Sequence, residues 1–234
     1  KIDIMIQTSI YTLIGILFSK RLAERPYLIT SLIIGLIFPD IDIILDFIFS
    51  LFLNFNFIHK TYIDNSIFHS LLLIPFICLI ILMYQEVNKN KNYNIVVGFS
   101  AGVLMHILFD ILTLQSVGIF FPLPLEKNLN LNVFFNYKIP LIMINILNLL
   151  TLMLFRLYTW KIINLILNQS QNYHILIKRL SLWMKIQLYL FLIFIFLIYF
   201  DTNGMINSVF FGASYTLSFA MVVYMTFKTK KLIN

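Results

Sequence analysis

Three of the four histidines and five of the seven aspartates in this chain fall between residues 35 and 122. They sit in or beside long apolar runs. Asp40, Asp42 and Asp46 interrupt GLIFPDIDIILDF, His69 heads the next run in FHSLLL, and His106 and Asp110 lie inside GFSAGVLMHILFDIL. An ionisable side chain inside a membrane-length apolar segment costs about 2.5 kcal/mol or more to insert. Such groups persist where they pair, line a wet cavity or hold a cation, so their recurrence in three successive segments points to a built site. His106 and Asp110 stand four apart, which puts them on one helix face with Cβ atoms about 5–6 Å apart. An imidazole nitrogen and a carboxylate oxygen at that spacing reach one cation, and Asp42 and Asp46 repeat it. Mixed histidine and aspartate donors suit zinc, or manganese or iron where more oxygen ligands join. A metal with an open position lowers the pKa of bound water and makes a nucleophile for ester or phosphoester hydrolysis. The same residues also suit a proton or ion relay. Plainer roles exist: Asp40 as the N-cap of a helix after Pro39, His69 as an interfacial side chain, and His106 with Asp110 as a structural pair.

The elements that must position these groups are membrane helices. The chain of 234 residues is 60% hydrophobic and 12% charged, against about 25% charge in a soluble domain. Its composition predicts an all-α, polytopic integral membrane bundle. Apolar runs over about 4–18, 27–57, 66–84, 95–114, 139–158, 186–200 and 206–227 make about seven segments. Pro39 should break or kink the second. Residues 116–138 read as a surface or re-entrant stretch, and 160–185, basic and amphipathic, as an interfacial one. Residues 1–124 then form a site-bearing part and 125–234 a set of additional segments, within one continuous membrane domain. Lys and Arg concentrate in alternate connectors, which predicts an N-out, C-in topology. The net charge of +7 is thus a topology signal and a contact with anionic lipid rather than a nucleic-acid surface. The start lacks a cationic region with a small-residue cleavage site, so no removed signal peptide is expected. The single cysteine, Cys78, excludes an intrachain disulfide and a cysteine-rich zinc motif. At about 1.5 Å per residue, Asp40, Asp42, His69, His106 and Asp110 all fall in one slab in the outer third of the bilayer. His59 lies just outside it.

At these residues the chain resembles the YdjM-type bacterial membrane-bound metal-dependent hydrolases, distantly related to zinc-dependent phospholipase C. The pattern PDxD is met by Asp40 and Asp42. An HR element is met by His59 with Lys60 in place of arginine, and a THS-like element by His69 and Ser70. Gly102, His106, Asp110, Thr113, Gly118 and Pro122 match the last element, G-x-x-x-H-x-x-x-D-x-x-T with a following G and P. The resemblance covers about residues 10–124. It implies a metal site with Asp40, Asp42, His69, His106 and Asp110 as ligands, His59 as a further ligand or proton shuttle, and Asp46 as base or supporting partner. It also implies a lipid-type substrate among the membrane lipids and residence in a bacterial inner membrane or an equivalent organellar membrane. One departure stands out: Tyr11 occupies the position, four before Gly15, where the family carries a histidine. A transporter or relay using the same cluster, and a catalytically degenerate scaffold, are the alternative expectations.

Overall fold

The computed structural model describes residues 7–22, 25–52, 67–89, 92–112, 141–169, 173–200 and 204–233. Among the described residues every regular element is a helix: α1 (Gln7–Leu22), α2 (Leu28–Ile37), α3 (Ile41–Phe52), α4 (Leu73–Val87), α5 (Tyr93–Leu112), α6 (Leu141–Gln169), α7 (His174–Phe200), α8 (Met205–Lys228) and a final turn, α9 (Lys230–Ile233). The chain divides into two units, one of Lys1–Leu17 with Ile139–Ile233 and one built on Phe18–Lys138.

The Phe18–Lys138 unit is organised by the packing of α2 on α5. The contact is made by residues too small to keep the backbones apart. A Cβ on Gly35 would collide with the Phe99 carbonyl, one on Gly98 with Ser31 Oγ and the Leu28 carbonyl, and one on Gly102 with the Leu32 carbonyl. Close approach through small residues is how helices associate where lipid removes the usual hydrophobic driving force. Pro39 has no N–H to continue the helix, and α2 gives way to α3 there with a bend of 41°. Through the corner the backbone switches to shorter bonds, Ile41 N–H to the Phe38 carbonyl and Asp42 N–H to the Pro39 carbonyl. Phe38 stands at this corner with its ring edge-on to Phe68 and to Phe99, both at 5.3 Å. Ile74 of α4 packs with Phe99, Val103 and Ile107 of α5. The apolar core thus ties the corner, the turn before α4 and the middle of α5 together.

In the other unit α6 packs on α7 and α8. Phe155, Tyr158, Ile162 and Ile166 of α6 are fully buried, at the three- and four-residue spacing of one helical stripe. Polar groups inside are paired: Tyr158 and Thr226 hydroxyls at 2.7 Å, and Tyr215 with Thr8. Tyr158→Phe is expected to cost about 1 kcal/mol, the usual net worth of one buried hydrogen bond, measured as a lowered thermal midpoint in detergent.

Among the described residues four helices, α5 to α8, are long and apolar enough to cross a membrane, or five spans if the bent α2–α3 pair counts as one; α1 and α4 are apolar but shorter. The structure divides 160–185 differently from the interfacial element expected there. Lys161 lies within α6, and Lys178, Arg179 and Lys185 lie within α7. No glycine or proline interrupts residues 141–169, so the helix propagates through the basic stretch. At 29 and 27 residues, α6 and α7 are about 43 and 40 Å long, more than the roughly 30 Å of bilayer hydrocarbon.

Candidate metal centre

α5 carries the first part of the centre on one stripe. Gly98, Gly102, His106 and Asp110 follow at intervals of four, so the face that lets α2 approach also turns His106 toward it. His106 Nδ1 lies 2.6 Å from the Leu36 carbonyl oxygen. Leu36 is in the last turn of α2, where carbonyls lack intrahelical partners. A carbonyl only accepts, so the Nδ1 proton goes to Leu36 and Nε2 presents its lone pair on the other side of the ring. There it meets Asp110 Oδ2 at 3.0 Å and Asp40 Oδ1 at 3.6 Å.

His69 comes from the turn ahead of α4. Ser70 steadies that turn by accepting the Leu72 backbone N–H at 3.2 Å, and Phe68 is clamped on Phe38. His69 Nδ1 lies 3.2 Å from Asp42 Oδ2, and its Nε2 lies 3.2 Å from Asp110 Oδ2. The two imidazoles meet edge to face at 5.2 Å. Both Nε2 atoms therefore converge on one oxygen of Asp110.

None of Asp40, Asp42, His69, His106 and Asp110 is more than 2% exposed. Three carboxylates face two imidazoles, so even with both rings protonated one negative charge is in excess. Buried charge is tolerated when it is paired. Asp42 Oδ1 is buried without a hydrogen-bond partner. Where an Nε2 carries no proton, its lone pair and the Asp110 oxygen repel one another, and a positive centre between them relieves that repulsion. Asp40, His69 and His106 each offer a donor atom, all within 4.8 Å of one another. A tetrahedral ion bound at about 2.0–2.2 Å holds its donors roughly 3.3–3.6 Å apart. The donor set therefore fits a divalent cation in chemistry and in spacing.

The structure thus brings together the five residues expected as ligands. Asp46 lies one turn beyond Asp42 on α3 and is half-buried. His59 with Lys60, and Thr113, Gly118 and Pro122, lie outside the described residues. Tyr11 is buried on α1, in the unit that does not carry the cluster. Sequence reading missed the Leu36 carbonyl, because a backbone acceptor carries no residue signature. It also missed Gly98, whose spacing to Gly102 was the available signal.

The model of a family described as YdjM inner membrane protein matches residues 7–205. No curated protein matches the chain. No solved structure matches it either.

Proposed function

The chain belongs to the YdjM inner membrane protein family, and from that premise we propose that it is a metal-dependent hydrolase working inside the membrane on a lipid or lipid-linked ester or phosphoester. The observation that carries this reading is the convergence of both histidine Nε2 atoms on Asp110 Oδ2, an arrangement that a bound cation would stabilise. Asp40, Asp110 and the two Nε2 atoms would hold it, a donor set suited to zinc and open to manganese or iron. Bound there, a divalent ion supplies Lewis acidity and lowers the pKa of a water in its open position.

The remaining groups act on the histidines and on protons. Asp42 was expected as a ligand; its contact with His69 Nδ1 at 3.2 Å supports a role in orienting that ring, as carboxylates behind metal-bound histidines do. The Leu36 carbonyl does the same for His106. Asp46, one turn farther along the same helix, would serve as the base that accepts a proton from water activated there. His59 remains a further ligand or shuttle in this scheme. Asp40, Asp42, His69, His106 and Asp110 are all buried, which keeps out bulk water and strengthens every electrostatic contact among them.

Elemental analysis of the detergent-purified chain tests the proposal, followed by a screen of lipid esters and phosphoesters. Near-stoichiometric zinc, manganese or iron with chelator-sensitive hydrolysis is expected. A protein that stays empty after incubation with each metal would sink it. Asp42→Asn is expected to lower metal affinity by about 10- to 100-fold with helicity unchanged, measured by competition with a chromophoric chelator.

One contact favours a second reading. His69 touches a carboxylate with each ring nitrogen, as a group passing a proton between Asp42 and Asp110 would. Proton-coupled flux in proteoliposomes by a metal-free protein would select that relay.

A further inference from the structure

Residues 139–200 contain five Lys and Arg and no Asp or Glu. The described residues of the unit they belong to include no acidic side chain at all. Arg156 lies midway along α6, within the stretch apolar enough to span the bilayer. It is half-buried, and no counterion is at hand among the described residues of its unit. An arginine at membrane depth is costly unless it faces an anion or water.

Arg156 opens into a groove of about 450 Å³ between α6 and α7, lined among others by Met153, Leu157 and Trp160 on one side and Gln187 and Leu188 on the other. Its walls are of two kinds. Met153, Leu157 and Leu188 are 55%, 45% and 36% exposed, an apolar surface that only hydrocarbon satisfies. Gln187 is 4% exposed and hydrogen-bonded to the Thr159 hydroxyl at 3.2 Å, which makes a buried polar floor. Trp160 is 45% exposed, and Lys161 Nζ stands 5.4 Å over its ring. Tryptophan with a neighbouring lysine marks the level where hydrocarbon meets headgroups.

A cation, a polar floor and a tryptophan at headgroup level, beside apolar walls, match one kind of molecule. We propose that this groove binds an anionic phospholipid of the surrounding bilayer, with its phosphate on Arg156 and its acyl chains along Met153, Leu157 and Leu188. The guanidinium fork suits phosphate oxygens, which it meets with two parallel N–H donors. The site lies within one unit, and none of its residues belongs to the metal centre.

The chain has two tryptophans, and they make the test direct. Trp160 is at the groove, whereas Trp183 is 8% exposed and shielded. The full chain is reconstituted in phosphatidylcholine vesicles doped with chain-brominated phosphatidylglycerol, or with equally brominated phosphatidylcholine at the same fraction. Stronger quenching by the brominated phosphatidylglycerol is expected, corresponding to about fivefold local enrichment, the worth of one cation at a membrane surface. Arg156→Gln should make the two lipids quench alike, Arg156→Lys should keep part of the difference, and Lys228→Gln, a cation that does not line the groove, should keep all of it. Unchanged circular dichroism of each variant shows that the fold is intact. Inorganic phosphate in excess should leave the difference standing; displacement by it would overturn the lipid assignment. Equal quenching in the unaltered protein, a difference that survives Arg156→Gln, or its loss in Lys228→Gln would overturn the proposal. Weak quenching by both lipids would mean that another copy or another segment covers the groove, and would overturn it as well.

Discussion

His106→Ala is expected to empty the metal centre, lowering affinity by roughly 100-fold or more, since even partners behind a ligand are worth 10- to 100-fold. The ring is fully buried and works on both sides. Nε2 faces Asp110 and Asp40, while Nδ1 holds the Leu36 carbonyl. Alanine removes a donor to the cation and also leaves a buried carbonyl without its partner, a loss of about 1–3 kcal/mol. The two effects separate in a second variant. The side-chain amide of His106→Asn can still donate to Leu36 but has nothing at the Nε2 position. Metal content should fall in both variants, and the thermal midpoint should recover in the asparagine one. Full metal content in both would refute the proposed role of this residue.

Gly102→Ala is expected to cost about 3 kcal/mol, at the upper end of overpacking penalties, and to release metal without touching a ligand. The added methyl would strike the Leu32 carbonyl and stand 2.8 Å from the Leu36 nitrogen and 2.9 Å from the Gly35 carbonyl carbon. All three are backbone atoms, so no rotamer change relieves the clash and α2 must move off α5. Leu36 and His106 are joined across that same interface, and Asp40 lies four residues past Leu36. Separation of the helices therefore pulls two sides of the centre apart. Thermal unfolding and elemental analysis on the same preparation read both effects. Ser100→Ala, elsewhere on α5, should change stability by no more than about 0.5 kcal/mol.

Much of this was legible in the chain. Asp40, Asp42, His69, His106 and Asp110 agree in depth once each apolar run is taken as a helix, and the structure brings them into contact. The break at Pro39 follows from its missing N–H. The contacts between particular atoms were not legible. That His69 bridges Asp42 and Asp110 depends on the turn at Ser70 and on Phe68 meeting Phe38 edge-on, and neither has a spacing rule. The partner of His106 Nδ1 is a carbonyl exposed by a helix end, which any residue at position 36 would supply. Residues 160–185 misled for a physical reason. A basic amphipathic stretch looks alike whether it lies flat on a membrane or forms the ends of two helices longer than the hydrocarbon is thick.

The bend at Pro39 has a consequence for how the protein is made. Asp40 leaves the ribosome 66 residues before His106, roughly 3–13 s at ordinary elongation rates of about 5–20 residues per second. Asp40 waits 29 residues for His69 and the whole interval for His106, so the centre is incomplete until α5 is made. A straight helix through residues 28–52 would have to carry its carboxylates into lipid at once. Broken at 41°, the same stretch is two pieces of 10 and 12 residues, each about 15–18 Å long and too short to cross alone. Such a pair is expected to wait at the lipid surface, carboxylates hydrated, until α5 arrives with its glycine stripe and draws them in. Final insertion and assembly of the centre would then be one event.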